Sequence, residues 1–509
     1  MSPIVKLILI FITLLFTTPL AYGLCEDFEI DGTYEASVDL PRILFLLKYS
    51  PNDPPIEVEG SFELNYAFLD TGASGILLSA QTAEIMGIAK DPNAVFIDTG
   101  VGGDEFFDVS EPLYIGTTYY DSPTPYNPDE YQLFGPWRFQ IKQDDGETPY
   151  DVLGIPVMAG NTVVFNPSRE AITFFTAEIF PPNDPNIPQA DFQVPLRFEK
   201  YINPLNPLNT PPLPILAYNP VIDNIVIEYN DISSTGSYLF DTGGTISIIS
   251  VAQGVTLGLT DPNGDPIIPP TFSIPIGGIG GSVVLPGFVL DKLSVPTLSG
   301  FDLVYLNARV CVHDIGILDE DTGDFTILDG IFGDNFICAS FNMATFDIVA
   351  TPFDHVIFDT VNALLGFTVN PQFPLPNCYK TDINNDCIVN GEDLFFLTQN
   401  FLATDCNSSN DFCNGSDFDK SSNVDMTDYA ILAGDWQIQQ CQSRCGDNDN
   451  PWPQADLTRD CTVDLNDLAI MAEEWLNDCD WLNWNCRGSD FNLDNTTNFT
   501  DFATFGSQL

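Results

Sequence analysis

The chain has 509 residues and a formal charge of −56, because 72 acidic residues face only 16 lysines and arginines. This excess of negative charge excludes a nucleic-acid binder of the basic kind and a protein that binds anionic membranes through its charge. Glycine and proline are frequent, aromatic residues make up 12% of the chain, and short Val/Ile/Phe runs recur. This composition predicts a mostly β protein whose acidic residues serve either solubility or cation binding.

The N-terminus has the pattern of a secretory signal peptide, residues 1–23. A single lysine precedes an apolar run from Leu7 to Phe16, and the segment ends in Ala21-Tyr22-Gly23. The run is too short to span a bilayer, and no later segment reaches the ~20 apolar residues that a spanning helix needs. We therefore expect cleavage after Gly23, no membrane insertion of the remaining chain, and a secreted or cell-surface protein.

The tripeptide Asp-Thr-Gly occurs four times, starting at Asp70, Asp98, Asp241 and Asp321. The copies at Asp70 and Asp241 follow one apolar run and lead into another, as in YAFLDTGASGILLS. Asp321 lies in the acidic sequence LDEDTGDF, which is typical of a turn. Asp98 aligns with Ile276 of the second half, at the entry to a glycine-rich hairpin rather than at a repeated turn. Asp70 and Asp241 are therefore the candidates for catalysis.

Two parts of the chain before residue 371 repeat each other. DTGASGILLSAQTAEIMGI aligns with DTGGTISIISVAQGVTLGL, GVGG with GIGG, and VLG with IFG, in the same order. Three matched landmarks indicate an internal duplication, and the proline-rich segment 204–220 is the predicted connection between its halves. The glycines of the second landmark are candidates for two flaps: Gly100, Gly102, Gly103, Gly278, Gly280 and Gly281.

These motifs resemble those of the pepsin-like aspartic proteases, which carry one Asp-Thr-Gly motif and one later apolar-apolar-glycine triplet in each lobe. The continuation DTGA, followed by a strand, a short helix and a glycine-rich flap, is similar to bacterial retropepsin-like proteins. The resemblance covers about residues 30 to 370. It implies a mostly β, bilobal fold of two pseudo-symmetric β-barrel lobes, 24–195 and 196–370. It also implies a monomeric catalytic unit that takes a peptide or protein substrate.

Two neighbouring carboxyl groups can hydrolyse a peptide bond without a metal, because like charges so close share one proton. The ionised member activates water as a general base, and the protonated member donates to the carbonyl oxygen. The resemblance assigns this role jointly to Asp70 and Asp241, which predicts an aspartic endopeptidase without a catalytic cofactor. The positions that support the pair are Thr71, Gly72, Thr242 and Gly243.

The chain departs from the pepsin pattern at Ala73 and Gly244, where a serine or threonine often follows the motif. A Ser-His-Asp or Cys-His enzyme is a poor alternative, because His313 and His355 are the only histidines and neither lies in a nucleophile motif. The alternative from another class is a non-catalytic pepsin-fold binding or adhesion protein, displayed through the C-terminal tail.

The proline-rich sequence PQFPLPN at residues 371–377 predicts a linker to a cysteine-rich tail. Nine of the twelve cysteines lie between Cys378 and Cys486, and a secreted chain meets an oxidising compartment, so disulfides are expected there. Their connectivity in the tail stays open. In the body of the chain, Cys311 and Cys338 are expected to form a pair.

The tail contains four acidic loops, each followed by an apolar helical stretch. The first reads DINNDCIVNGED, with side-chain oxygens at loop positions 1, 3, 5, 9 and 12, while position 7 offers a backbone carbonyl. Calcium prefers six to eight oxygen ligands, so the repeated pattern predicts up to four Ca²⁺ sites. The expected ligands are Asp382, Asn384, Asp386, Ile388, Asn390 and Asp393; Asp417, Asp419, Ser421, Asn423, Asp425 and Asp428; Asp456, Thr458, Asp460, Thr462, Asp464 and Asp467; and Asp490, Asn492, Asp494, Thr496, Asn498 and Asp501.

These loops resemble dockerin type I repeats, which have aspartate at position 12 and a helix after the loop. The resemblance implies two small α-helical, EF-hand-like repeat pairs, 378–444 and 445–509. Cysteines recur at matched places, Cys406 with Cys479 and Cys413 with Cys486. Dockerins bind cohesin modules, so a cohesin-like module is an expected partner. A purely structural extension of the body is the alternative.

Overall fold

The computed structural model describes residues 27–31, 33–56, 65–144, 149–168, 174–201, 213–298, 301–318, 325–370, 381, 383, 389, 391–406, 410–434, 452–459 and 462–508. The predicted signal peptide, the linker and Asp321 lie outside the described residues. So do six expected calcium ligands: Asp382, Asn384, Asp386, Ile388, Asn390 and Asp460.

The described residues are mostly β, as predicted. Strands up to residue 199 are β1 (Phe28–Asp31), β2 (Ala36–Ser37), β3 (Arg42–Lys48), β4 (Asn65–Leu69), β5 (Ile76–Leu78), β6 (Lys90–Gly100), β7 (Gly103–Ser110), β8 (Leu113–Tyr119), β9 (Gln132–Trp137), β10 (Gln140–Lys142), β11 (Val152–Leu153), β12 (Thr162–Asn166), β13 (Thr176–Phe180), β14 (Phe192–Pro195) and β15 (Arg197–Glu199).

Later strands are β16 (Asn219–Tyr229), β17 (Ile232–Asp241), β18 (Ser247–Ile249), β19 (Phe272–Gly278), β20 (Gly281–Pro296), β21 (Asp302–Val312), β22 (Gly316–Leu318), β23 (Phe325–Ile327), β24 (Gly330–Gly333), β25 (Ser340–Phe341), β26 (Ile348–Val349), β27 (Phe353–Asp359) and β28 (Leu364–Val369).

Helices are short in the body and longer in the tail. They are α1 (Ala80–Ile85), α2 (Ile155–Met158), α3 (Val251–Thr256), α4 (Gly391–Asn400), α5 (Met426–Gly434), α6 (Leu465–Glu473) and α7 (Phe499–Phe505). Single turns of 3₁₀-helix cover Pro128–Glu130, Asp334–Phe336 and Trp481–Asn483. The helical turns Asp411–Asn414 and Trp484–Arg487 contain residues with left-handed backbone angles.

Two large sheets carry the body. One runs β1-β21-β18-β24-β17-β16-β20-β19, with β15 on β16. The other runs β14-β28-β27-β12-β13-β3-β4-β11-β5-β10-β7-β6, with β8 on β3 and β9 on β8. Strands β27 and β28 come from the end of the body but join the sheet of the first half through β12. Smaller sheets are β2-β25-β26 and β22-β23.

The two halves of the body repeat one pairing pattern around their Asp-Thr-Gly motifs. In the first half, β11 lies parallel to β4 and antiparallel to β5, and β10 lies parallel to β5. In the second half, β24 lies parallel to β17 and antiparallel to β18, and β21 lies parallel to β18. The repeated sequence landmarks therefore occupy equivalent positions in two equivalent sets of strands.

The helix that follows each motif begins and ends in the same way. Ser79 caps α1 by accepting a hydrogen bond from Thr82 N–H, and Ser250 caps α3 by accepting one from Gln253 N–H. Such caps satisfy backbone donors that have no partner within the helix. Gly87 and Gly258 follow the helices with positive φ angles of 63° and 75°, which glycine adopts without strain.

The chain forms two compact units. The larger contains Glu29–Leu298, Asp302–Phe373 and Arg444–Leu509, and the smaller contains Pro374–Ser443. The body has buried apolar clusters in both halves, one including Leu77, Phe96 and Phe107 and another including Leu239 and Ile331. Among the described residues, no helix is long and apolar enough to cross a membrane.

The expected pairing of Cys311 with Cys338 is wrong in this structure, because both cysteines are free and buried. Cys311 packs in an apolar cluster with Leu239 and Ile248, and burial raises the pKa of its thiol to about 12. The Cys338 thiol instead donates to the Ser168 carbonyl at 3.6 Å. Each thiol thus has its own buried environment.

The described disulfides lie in the tail, where Cys406 pairs with Cys413 and Cys479 pairs with Cys486. Each closes a short loop with a sequence separation of 7. The matched cysteines of the two repeat pairs are therefore linked within each pair. This resolves part of the connectivity that the sequence leaves open.

The second repeat pair is part of the larger compact unit and contacts the body directly. Leu482 O accepts a hydrogen bond from Tyr218 N–H at 2.8 Å, and the Trp484 ring lies 5.3 Å from the Phe198 ring. Arg487 forms an ion pair with Glu199 at 3.0 Å. This interface combines apolar packing with a partly buried ion pair on β15.

A second set of contacts involves the turn between β27 and β28. The Arg459 guanidinium donates to Asn362 O at 3.4 Å and to Ala363 O at 3.1 Å. The same guanidinium lies over the rings of Trp452 and Trp484. One arginine of the third acidic loop thereby connects the body to two tryptophans of the repeat pair.

Candidate active site

The two Asp-Thr-Gly loops are joined by a reciprocal set of hydrogen bonds. Thr71 Oγ1 donates to Phe240 O at 2.6 Å, and Thr242 Oγ1 donates to Leu69 O at 2.7 Å. In return, Thr71 N–H donates to Thr242 Oγ1 at 3.1 Å, and Thr242 N–H donates to Thr71 Oγ1 at 3.0 Å. Both threonines are fully buried. This network fixes the two loops against each other.

The Asp70 and Asp241 carboxyl groups lie next to each other where these loops meet, close enough for each to change the pKa of the other. Gly72 N–H donates to Asp70 Oδ1 at 2.7 Å, and Gly243 N–H donates to Asp241 Oδ1 at 2.8 Å. The backbone of Ala73 donates to Asp70 Oδ1 at 3.1 Å. Each carboxylate is therefore held by backbone donors of its own loop.

The electrostatic environment favours a shared proton. Burial raises the pKa of Asp70 well above its ordinary value, and the charge of Asp241 and the hydrogen bond to it raise this pKa further. Burial also raises the pKa of Asp241. Because the two groups interact strongly, the proton belongs to the pair rather than to one residue. We call Asp70 and Asp241 the dyad.

Gly72 and Gly243 allow the two carboxyl groups to approach. A Cβ atom on Gly72 would lie 2.5 Å from Asp241 Cγ, and one on Gly243 would overlap the Asp70 carboxylate. Any side chain at either position would push the dyad apart. The requirement for glycine thus comes from space at the dyad.

The triplet glycines, Gly154 and Gly333, lie against the residues that follow the motifs. Gly154 N–H donates to Gly75 O at 3.0 Å, and a Cβ on Gly333 would lie 2.7 Å from Gly244 O. Asp334 N–H donates to Gly244 O at 2.8 Å. Each triplet therefore holds the outer part of one Asp-Thr-Gly loop.

Asn219 supports the first Asp-Thr-Gly loop, although no sequence motif pointed to it. Its side-chain nitrogen donates to Thr71 O at 3.1 Å and to Gly72 O at 2.9 Å. Ser74 Oγ donates to Asn219 Oδ1 at 2.5 Å. Asn219 lies in the proline-rich connection between the halves, and its position beside the loop becomes visible only when the chain is folded.

Asp334 is a second residue that the sequence analysis missed. It lies directly after the second triplet, is fully buried, and has no hydrogen-bond partner at either carboxylate oxygen. Burial raises its pKa well above the ordinary value, and the charges of Asp241 and Asp70 raise it further. The neutral form of Asp334 is thereby favoured beside the dyad.

The six predicted flap glycines lie at the turns of two hairpins, β6–β7 and β19–β20. Gly100 pairs with Gly103 across the first turn, and Gly278 pairs with Gly281 across the second. Gly103, Gly280 and Gly281 have positive φ angles of 106°, 81° and 117°. Glycine at these positions therefore meets the backbone requirement of the turns.

The tips of the two hairpins touch each other. Gly102 N–H donates to Ile279 O at 3.0 Å, and Gly280 N–H donates to Glu105 Oε2 at 3.0 Å. His313 Nε2 lies 3.1 Å from Val101 O. The hairpins, called flaps here, thus form a joint cover.

A cleft of about 940 Å³ is lined by Asp70 of the dyad and by Gly243 of the second loop, and it extends under both flaps. Its first-half wall includes Asp98, Gln140, Lys142 and Tyr150, and its second-half wall includes Leu239, Ile315 and Leu328. The volume lies in the range of sites that take a medium-sized ligand. Asp98, expected at a hairpin entry, lies on β6 and faces this cleft.

The second acidic loop of the tail brings three carboxylates together. Ligand oxygens of Asp417, Asp419 and Asp428 all lie within 4.8 Å of one another. Lys420 follows Asp419, but its ammonium lies over the Phe412 ring. Three close carboxylates repel one another unless a cation balances them, and hard cations prefer oxygen ligands. The donor set of this loop therefore fits a calcium ion.

The other described loop residues repeat this construction. The aspartate at position 12 is fully buried in all four loops, at Asp393, Asp428, Asp467 and Asp501. It accepts backbone hydrogen bonds from the start of its own loop, from Ile383, Phe418, Thr458 and Phe491. In the fourth loop, Asp490 accepts from Asp494 N–H and Asn495 N–H, as Asp417 does from Ser421 N–H and Ser422 N–H.

The remaining expected ligands are less closely grouped. In the third loop, Thr458 Oγ1 lies between Asp456 and Asp467, at 3.3 Å and 3.0 Å. In the second, third and fourth loops, position 9 is Asp425, Asp464 and Asn498. Asp464 and Asn498 cap their helices with their side chains, and Asp425 accepts a hydrogen bond from Thr427 N–H. The residues at position 7 of the second and fourth loops form isolated β-bridges within their repeat pairs. Asn423 pairs with Thr404, and Thr496 pairs with Asp478.

No family model matches this chain, and no curated protein matches it significantly. The function proposed below therefore depends on the residues and their geometry.

Proposed function

We propose that the chain is a secreted, bilobal aspartic endopeptidase of the pepsin-like and retropepsin-like kind, with a calcium-binding, dockerin-like tail. The observation that supports this proposal is the dyad: two half-buried carboxyl groups on equivalent loops, close enough for Asp241 to raise the pKa of Asp70, with Asp70 lining the cleft. A shared proton gives such a pair one acid and one base at the same place.

In the proposed mechanism, a water molecule is bound between Asp70 and Asp241. The ionised carboxylate takes a proton from this water as its oxygen attacks the peptide carbonyl carbon, and the protonated carboxyl donates its proton to the carbonyl oxygen. In the tetrahedral intermediate, the proton gained by the first carboxylate moves to the amide nitrogen. The C–N bond then breaks, the second carboxylate recovers its proton, and the dyad again holds one proton.

Ala73 and Gly244 are compatible with this mechanism. The hydroxyl that often follows the motif in pepsin-like proteases is missing, but Ala73 N–H donates to Asp70 Oδ1 at 3.1 Å. The Gly244 backbone also hydrogen-bonds the Asp241 carboxylate and lowers its pKa. Backbone donors therefore orient both carboxyl groups without that hydroxyl.

The flaps supply the second part of the proposed site. Their hydrogen-bonded tips cover the cleft, so they have to separate before an extended peptide enters. After closure they exclude water, which strengthens electrostatic interactions at the dyad. The flap backbone also offers donors and acceptors to a peptide lying across the cleft.

The tail would hold Ca²⁺ through its acidic loops, with Asp417, Asp419 and Asp428 as the best-supported ligands. Bound calcium would balance the charges of these carboxylates and stabilise the loops. Attachment to a cohesin-like module is proposed for the tail, and secretion is proposed from the N-terminal pattern. Neither role takes part in the chemical step.

The test is cleavage of a protein substrate by the full chain in calcium-containing buffer at mildly acid pH. We expect the parent to cut internal peptide bonds, and we expect Asp70→Asn and Asp241→Asn each to lose at least about 100-fold in rate, as for loss of a general acid or base. A parent that cleaves no peptide while folded favours a pepsin-fold binding protein. Variants that cleave as fast as the parent contradict the dyad.

A further inference from the structure

The two walls of the cleft differ in chemistry. The first-half wall carries the carboxylates Asp98, Asp104, Glu105 and Asp144, whereas the second-half wall consists mostly of apolar side chains and flap glycines, with Tyr201 and Ser282. Asp70 lies between the walls. Substrate residues on opposite sides of the scissile bond would therefore contact walls of different chemistry.

Asp98 has no cationic partner among the described residues. Thr99 N–H donates to its Oδ1 at 2.9 Å, but the groups that act on its pKa include no lysine or arginine. Burial raises this pKa to about 6, and the neighbouring charges of Glu105 and Asp104 add to the rise. The carboxylate is nonetheless ionised near neutral pH, inside the cleft and without a counter-ion.

The neighbouring acids are engaged elsewhere. Asp104 Oδ1 accepts a hydrogen bond from Thr99 Oγ1 at 2.7 Å, and Glu105 Oε2 accepts one from Gly280 N–H at 3.0 Å. Lys142 is the lysine of this wall, and its ammonium is held at Tyr150, 3.3 Å from the hydroxyl and 4.6 Å from the ring centroid. Asp144 also lines this wall but is exposed, so Asp98 is the acid inside the cleft that is placed to receive a cation.

Gln140 gives an independent indication of a ligand at the same place. Its side chain is 2% exposed and lines the cleft, and its Nε2 has no partner with hydrogen-bond geometry. The amide lies close enough to Asp98 to lower its pKa. Even if one N–H of this amide is directed at Asp98, the other has no partner; a buried donor left unpaired is costly, and a peptide carbonyl oxygen would satisfy it.

The surrounding wall is apolar, as a long cationic side chain requires. Leu77 and Val152 are buried and line the cleft. Lysine and arginine bury their methylene stems against such surfaces and keep the charged group at a polar end. Asp98 would provide the polar end for the charged group.

We propose that the first-half wall is a subsite for a lysine or arginine of the substrate, with Asp98 as its carboxylate partner and Gln140 as a donor to the adjoining backbone. An apolar residue would occupy the second-half wall on the other side of the scissile bond. This inference depends on the proposed endopeptidase function and adds its substrate class.

The test uses two sets of fluorogenic peptides that differ only by lysine or its neutral analogue norleucine, placed in turn at each position beside the cleaved bond. At pH 7.5, we expect the full-length parent to show about a tenfold higher kcat/KM for lysine at one position. Asp98→Asn should bring this ratio to about one, because it should lower kcat/KM for the lysine peptides much more than for the norleucine peptides. A parent that shows no lysine preference at any position overturns the subsite.

The matched control is Asp231→Asn, which removes one negative charge at an exposed turn outside the cleft. Asparagine suits that position, because Asp231 has a positive φ of 62°. The control should keep the lysine preference. If it loses the preference as Asp98→Asn does, the effect comes from net charge and the subsite is contradicted.

A binding measurement separates failure of the subsite from failure of the enzyme. Asp241→Asn should bind uncleaved peptides, and fluorescence polarisation should give about tenfold tighter binding of lysine than of norleucine peptides. Tighter lysine binding without cleavage by the parent supports the subsite and contradicts the endopeptidase. If lysine and norleucine peptides bind equally well and the parent cleaves them, the subsite is contradicted but the endopeptidase is not.

Discussion

Asp334 is an acid whose position costs stability. It is fully buried, its carboxylate oxygens have no hydrogen-bond partner, and the dyad adds repulsion. Since its pKa is raised in the folded state, folded protein binds this proton more tightly than unfolded protein does. The cost is therefore small below the unfolded pKa of about 3.9 and grows as pH rises towards the folded value.

Replacing Asp334 by asparagine removes this ionisation. We expect the free energy of unfolding of Asp334→Asn, relative to the parent, to rise between pH 5 and pH 8. Urea unfolding of both proteins at the two pH values gives this difference, and effects of pH on groups distant from Asp334 cancel in the comparison. Exposed Asp231→Asn is the control and should show a much smaller change. A difference that is the same at both pH values contradicts a buried, unpartnered acid.

At the scale of residues, the sequence predicts the features that depend on residues close together in the chain. Asp70 and Asp241 stand out because each lies between two apolar runs and belongs to an ordered repeat. Asn219 and Asp334 carry no comparable signal, since their roles arise from contacts with chain that is distant in sequence. The Cys311–Cys338 pairing was predicted from the redox compartment alone, and separate burial of the two thiols overrides it.

At the scale of elements, the flaps hold each other through their backbones. A Cβ on Gly102 would overlap the Gly280 carbonyl carbon, and a Cβ on Gly280 would overlap Gly103. The tips can meet this closely only with glycine at the contact. Flap closure should therefore be sensitive to a single methyl group.

Gly102→Ala tests this sensitivity. We expect it to hold the flap tips apart and to lower kcat/KM by about tenfold, about 1.4 kcal/mol in activation free energy, with thermal stability nearly unchanged. Gly277→Ala is the matched control on the other flap, because its added methyl would meet no atom within 4 Å. An equal effect of both variants contradicts the tip contact as the cause.

The sequence predicts many of these elements but few of their pairings. The glycine landmarks predict both hairpin turns, and the serines before α1 and α3 recur at matched positions. That β27 and β28 join the first-half sheet could not be inferred, because pairing across about 190 residues leaves no local pattern. Contact between the flap tips likewise depends on how the two halves are placed.

At the scale of the whole molecule, the second repeat pair is built into the larger compact unit. Trp484 packs on Phe198, Arg487 pairs with Glu199, and Leu482 bonds to Tyr218. The residue after Tyr218 is Asn219, which donates hydrogen bonds to the first Asp-Thr-Gly loop. The third and fourth acidic loops should therefore contribute to the stability of the body.

Two matched variants test this contribution. Asp501 and Asp428 hold the same loop position, are both fully buried, and accept equivalent backbone hydrogen bonds. Asp501 belongs to the larger unit and Asp428 to the smaller. We expect Asp501→Ala to destabilise the body by about 1–3 kcal/mol, the cost of buried donors left unpaired, and Asp428→Ala to leave the body unchanged.

Hydrogen exchange of β12 and β15 provides the measurement, with and without a calcium chelator. Protection of these strands should fall in Asp501→Ala and in the chelated parent. Equal protection in parent, Asp501→Ala and chelated protein would show that the second repeat pair does not support the body. The sequence predicts the loops but not this role, because the interface residues are scattered single positions.

The central claim is that Asp70 and Asp241 act as one catalytic group, and the most direct test compares kcat/KM for one peptide among four proteins. These are the parent, Asp70→Asn, Asp241→Asn and the double variant. Residues that act as a unit are not additive, so each single variant should lose as much activity as the double variant, at least about 100-fold. A single variant that retains parental activity, or losses that multiply in the double variant, would contradict a shared-proton dyad.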